Sequence, residues 1–253
     1  METQTAVPPE APVPSSFMER AVDIFSSPGK VYGEIAAMPA QTSSWVIPYI
    51  LTLLIAVISN IAIFSNPSLQ SQALEPQKEA IQERLQSGKM TQEQANQAEE
   101  MITSGGTMMM VIGIVGAVVV MSIMVFAGAL VFWLAAKLIL KSSATYKKML
   151  EVYGLPMLIG VLGGIVTLLM MHLFNTIYAS PGGGLIVMDH FNRKDTMHMI
   201  LAQLNIFSIW QMAVFGVGIS KISGKSTGTG VGLTLGAWGL WVVAMSLIGK
   251  MFG

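Results

Sequence analysis

The chain has 253 residues, of which 53% are apolar and only 11% charged. A soluble domain carries roughly 25% charged residues, so this composition is that of a polytopic membrane protein. The formal net charge is zero and cysteine is absent. The first gives no sign of a nucleic-acid partner. The second excludes disulfides, thiolate metal sites and a cysteine nucleophile.

Residues 1–16 are proline-rich and acidic. They lack a basic stretch followed by an apolar one, so they read as a disordered tail and not as a cleaved signal peptide. In residues 17–44, Phe17, Ala21, Ile24 and Phe25 share one helical face, and Val31, Ile35 and Met38 recur at helical spacing before Pro39. Two short amphipathic helices are expected, lying on the inner membrane surface or packed against the bundle.

A hydrocarbon core of about 30 Å needs about 20 apolar helical residues. Five segments qualify: 45–64, 107–136, 155–178, 200–219 and 231–253, the last apolar to about Ile248. The fold class expected is therefore all-α, a bundle of five transmembrane helices. The first apolar span would serve as an uncleaved anchor. Residues 65–106 read as a helical hairpin outside the membrane. Its first arm runs from Glu75 to Gln86 and stops at Gly88. Thr91 and Gln94 form a capping box for the second arm, which ends near Ile102. Its apolar stripe, Ala80, Ile81 and Leu85 facing Ala95, Ala98 and Ile102, is thin for a domain core. The hairpin is thus a solvated loop or a partner-docking surface.

Residues 137–154 form a basic loop with Lys137, Lys141, Lys147 and Lys148; residues 179–199 and 220–230 are the remaining connections. Five spans put the termini on opposite sides. With the N-terminus inside, inner segments hold eight Lys and Arg and outer segments six. The crowded lysines at 137–148 favour the same orientation, N-terminus cytoplasmic and C-terminus outside. Trp45 and Trp133 then fall near the inner interface.

Reactive chemistry is hard to find. "SGKSTGTG" at Ser223–Gly230 misses phosphate-loop spacing by one residue and follows no strand. His190 and His198 lie near Asp189 and Asp195, but two candidate ligands at i and i+3 make no metal site. His172, late in the third span, is the lone ionisable group within a span. Asn60, Gln203, Asn205 and Gln211 are polar groups of the bundle. They either bond between helices or converge on a path for a small channel or carrier. No nucleophile–base pair or metal set suits an intramembrane enzyme. No cofactor is implied. Gly160 and Gly164, and Gly228, Gly232 and Gly236 at four-residue spacing, suggest close helix packing or self-association.

Three stretches carry a family resemblance: "IFSSPGKVYGEIAAMP" (Ile24–Pro39), "YKKMLEVYGLPMLIG" (Tyr146–Gly160) and "NIFSIWQMAVFGVGIS" (Asn205–Ser220). In this order and with five spans, the chain resembles the Yip family of Ypt/Rab-interacting membrane proteins over about 17–248. Tyr153, Gly154, Pro156, Trp210, Gly216 and Gly218 are the family-marker and packing residues. The Asp-Leu-Tyr-Gly-Pro segment of eukaryotic members is missing, and Leu155 and Pro156 follow Tyr153 and Gly154, so the likeness is to bacterial-type members. The resemblance implies a non-enzymatic scaffold or adaptor in a bacterial cytoplasmic membrane. Its partners would be the lipid bilayer and an unknown protein or a second copy of itself.

Overall fold

The computed structural model describes residues 15–104 and 106–252. The expected tail falls almost wholly in residues 1–14, outside the described residues. Twelve helices follow one another, and no strand occurs among the described residues. Five of the segments are long and apolar enough to cross a bilayer.

The chain starts with α1 (Phe17–Ser26) and α2 (Pro28–Ala37). Ser16 and Glu19 make a full capping box for α1, and Pro28 opens α2, where its missing N–H costs nothing. The first span is α3 (Ser43–Ser65). Next comes α4 (Pro67–Gln86), which begins eight residues before the expected Glu75. The reason is local. The Asn66 side chain accepts from the N–H groups of Ser68 and Leu69, and Pro67 takes the first helical position. Helix α5 (Gln92–Ser104) is started by the reciprocal Thr91–Gln94 box, after Gly88 has turned the chain at φ +70°. Ala80 is exposed; Leu74 and Ile81 instead meet Ala95 and Ile102.

The second span is α6 (Gly106–Leu138), 33 residues and about 50 Å long. Residues 146–154, read from sequence as part of a loop, form α7 (Tyr146–Gly154). Thr145 caps it through the Lys148 N–H, and its lysines flank a buried face of Met149 and Val152. Leu155 and Pro156 bridge to α8 (Met157–Phe174), so α7 and α8 together make the third span. It ends at Asn175, in the left-handed conformation, and not at the expected Tyr178.

After the single turn α9 (Gly184–Val187) the chain enters α10 (Thr196–Gln203) and α11 (Ile206–Ser223). The fourth span was expected as one helix over 200–219. Instead the span is the continuous helix Ile206–Ser223, and a break at Leu204–Asn205 assigns residues 200–203 to α10, because each helix has its own cap. Asp195 accepts from Met197 N–H, and Asn205 accepts from Phe207 N–H at 2.9 Å. Residues 180–184 fill the break: Gly183 N–H donates to Leu204 O, and Ile206 N–H donates to Pro181 O. Backbone groups freed at this junction thus find partners inside the protein. The chain closes with α12 (Thr227–Phe252), antiparallel to α11.

In the bundle α3 packs on both α6 and α8, and α11 packs on α8, α12 and α2. Large apolar side chains along α3 and α6, such as Leu54, Ile58, Val115 and Val119, point outward as lipid-facing residues do. The main core lies towards one end. There Ile24, Val31, Tyr32 and Ile35 of α1 and α2 meet Met149, Val152, Leu155, Phe215 and Ile219. The amphipathic N-terminal pair is therefore docked on the bundle, with its apolar face covered by α7 and α11.

Candidate functional site

At the end of the bundle where α2, α7 and the last turns of α11 meet, the packing encloses charge. Arg20 of α1 is 2% exposed and Glu151 of α7 is 1% exposed. Their closest atoms, Nη1 and Oε1, stand 4.0 Å apart. The other Glu151 oxygen accepts from Lys148 Nζ at 2.8 Å. Lys148 also donates to the carbonyls of Ile35 and Met38, both at 2.8 Å. These are the closing carbonyls of α2, where a cation offsets the negative end of the helix dipole. Arg20 Nη2 donates to Gln41 Oε1. Arg20 Nε and Nη1 are buried without a hydrogen-bond partner.

Tyr32 sits beside this cluster. Its hydroxyl donates to Val152 O at 3.0 Å, and its ring lies over Gly218. Burial pushes the phenol well above its ordinary pKa, and the nearby Glu151 charge pushes the same way. The hydroxyl therefore stays protonated and acts as a donor. Every charge here faces another part of the chain. What the group can do is clamp: one carboxylate on α7 gathers a cation from its own helix and one from α1, while α2 is held by its carbonyls and its tyrosine.

Several family-marker residues surround the clamp. Tyr153 packs its ring edge-on to Phe215 and near Phe132. Gly154 lets α7 touch α3: a Cβ there would stand 2.5 Å from Trp45 Cα. Pro156 precedes α8 at the junction with α7, one residue before the helix proper. Trp210 meets Phe25 of α1 edge-on and lies near Phe207. At Gly216 a Cβ would stand 2.5 Å from Val231 Cα, and at Gly218 it would meet Val152 and Tyr32.

The four polar bundle residues do not come together. Asn60 faces Gly113 across α3 and α6. Gln203 lies on α10 and donates to Ser246 of α12. Asn205 donates to Thr167 of α8, and Gln211 lies against Gly160 of α8. The α12 glycine ridge, read as close packing or self-association, does not pack within the chain. Gly228, Gly232 and Gly236 face open space, and α12 meets α11 through Gly230, Val231 and Thr234. His190 and His198 are edge-on at 5.1 Å, and no group of three metal-ligating side chains occurs among the described residues. His172 is exposed on the last turn of α8, bonded to Leu168 O.

The clamp escaped the sequence reading. Glu151 was visible as a helical partner of Lys147 or Lys148, but nothing local links it to Arg20, 131 positions earlier. The one hint was an arginine on the apolar side of α1, next to Phe17, Ala21 and Ile24.

A family model for the Yip1 domain matches residues 22–249, which takes in Tyr32, Lys148 and Glu151 and begins two residues after Arg20. No curated protein and no solved structure matches the chain. With nine-tenths of its length matched and five apolar helices in a bundle, the chain belongs to the Yip1 domain family of integral membrane proteins.

Proposed function

We propose that the protein is a non-enzymatic membrane scaffold or adaptor that works through the face built by α1, α2 and α7. The observation that carries this reading is the clamp. The most deeply buried charges are used to hold two short helices on the bundle, and none is left facing a cavity as an acid, base or nucleophile would be. Asn60, Gln203, Asn205 and Gln211 sit at separate helix contacts, which speaks for a packed bundle over a small channel or carrier built on them. The lysine-rich end, with Lys137, Lys141, Lys147, Lys148, Lys221 and Lys225, faces the cytoplasm, and the 65–106 hairpin faces outward. The lack of the eukaryotic pre-span motif favours a bacterial cytoplasmic membrane.

The test is crosslinking in native membranes followed by purification of the full chain, wild type beside Glu151→Gln. A scaffold gives a defined protein adduct, or a dimer of the chain, whose yield falls when the clamp is weakened. An uncrosslinked monomer that conducts a solute in liposomes overturns the reading.

A further inference from the structure

A second site lies beside the start of the fourth span. A cleft of about 240 Å³ lies on the glycine face of α8, between α3 and the start of α11. Gly160, Gly163 and Gly164 line it on α8. Four polar side chains converge there from three helices: Ser59, Thr167, Asn205 and Ser208. Asn205 Nδ2 donates to Thr167 Oγ1 at 3.3 Å, which leaves the Thr167 hydroxyl proton free to point elsewhere.

Ser59 and Ser208 share with Ser44 and Ser223 the lack of a hydrogen-bond partner, but they alone of these four line the cleft. Ser65, Ser122 and Ser246 each donate to the carbonyl four residues earlier, the default for a hydroxyl in an apolar helix. Ser59 and Ser208 make no hydrogen bond among the described residues. A hydroxyl without a partner in hydrocarbon is costly. Two such groups, joined by Thr167, form a set of donors seeking acceptors.

Depth and charge narrow the ligand. Ser59 is six residues before the end of α3 and Thr167 seven before the end of α8. At 1.5 Å per residue the polar set lies roughly 10 Å inside the helix ends. No ionisable side chain lines the cleft, so a charged headgroup would be drawn into apolar surroundings with no counter-charge. The volume is below the roughly 300–1,000 Å³ of sites for drug-sized molecules. It suits a small lipid head whose tails stay in the bilayer.

We propose that this cleft binds an uncharged glycerolipid of the diacylglycerol class. Its ester carbonyls accept from Ser59, Ser208 and Thr167, and its acyl chains lie along Ile63, Leu168 and Met171. The proposal does not depend on the scaffold reading; the clamp and the cleft share no residue.

The full chain in phosphatidylcholine nanodiscs, with a diacylglycerol carrying a diazirine near the acyl carboxyl, provides the test. Photolabel should concentrate on peptides containing Ser59–Ile63, Gly160–Met171 and Asn205–Ser208, and unlabelled diacylglycerol should compete it away. The double variant Ser59→Ala, Ser208→Ala removes hydroxyls that hold nothing in the protein, so its melting temperature should stay unchanged while labelling falls about tenfold, the equivalent of about 1.4 kcal/mol. A phosphatidylglycerol with the same diazirine should label the outer faces of α3 and α6 with no preference for the cleft. Diacylglycerol label spread evenly over the lipid-facing helices, or label in the cleft that ignores the double variant, overturns the proposal. So does equal cleft labelling by the charged probe.

Discussion

The two ends of the bundle carry helical pairs of opposite character: α1 and α2 of 10 residues each, and the longer α4 and α5 of 20 and 13. At one end α1 and α2 bury Ile24, Tyr32 and Ile35 completely and bring Arg20 to within reach of Glu151. At the other, α4 and α5 form a hairpin whose core is Leu74, Ile81, Ala95 and Ile102, with Phe64 and Met109 from the spans beneath. Both pairs are amphipathic, and each holds one helix started by a capping box, α1 at Ser16–Glu19 and α5 at Thr91–Gln94. Local helix signals are therefore not what separates them. The difference is what each apolar face finds. The first finds the packed seam of α7 and α11, and the second finds mainly itself.

The contrast can be broken most directly at its charged centre. Glu151→Ala leaves the buried Arg20 and the half-buried Lys148 without their anion, and removal of one member of a buried pair costs about 3–5 kcal/mol. Thermal unfolding of the purified protein should show a large loss, with protease cutting first in residues 15–40. A variant as stable as wild type would mean that the clamp carries no weight.

At Gly216 a Cβ would strike the Val231 backbone, so Gly216→Ala should lose about 1–3 kcal/mol through forced separation of α11 and α12. At Gly232 nothing lies within 4 Å, so Gly232→Ala should gain about 0.5–1 kcal/mol from lower chain entropy. Equal effects at the two sites would contradict the packing described for α12. At the hairpin, Thr91→Ala removes one cap and should cost about 1 kcal/mol. Hydrogen exchange should rise in α5 alone and leave α2 untouched.

The smallest effect is a pH dependence. The Glu19 carboxylate is held below its ordinary pKa, first by the Ser16 backbone N–H and then by the Ser16 hydroxyl. Its contribution to the first turn of α1 is complete above the unfolded carboxylate pKa. It is lost as pH falls through the depressed folded value. Protection factors of the α1 amides, corrected for the intrinsic pH dependence of exchange, should thus fall on acidification in wild type, and Glu19→Gln should abolish that fall.

Much of this fold is written in local sequence. Spans such as Ser43–Ser65 are legible because about 20 apolar residues admit few other fates. The Thr91–Gln94 box and the Gly88 turn are legible because both act within four residues. The break before Ile206 had a signal too: Asn205 and Asp195 are N-cap residues, but a window of apolar residues averages over them. The same holds for Asn66-Pro67 ahead of α4. The clamp is different in kind. Arg20 and Glu151 meet only after α1, α2 and α7 have packed, so no pattern along the chain reports it. The glycine repeat in α12 shows the reverse case: a clear pattern whose face, by rotation of the helix, points away from its neighbours in the chain, which sets aside packing within the bundle and leaves self-association.

The central claim is that α1 and α2 are part of the packed bundle, and native-state hydrogen exchange on the protein in nanodiscs tests it most directly. The amides of Val31–Ile35 should be protected as strongly as those of Val214–Ile219 and far more than those of Gln92–Ala98, with the first of these protections lost in Glu151→Ala. Exchange at Val31–Ile35 as fast as in the hairpin, whether or not Glu151 is present, would contradict the account.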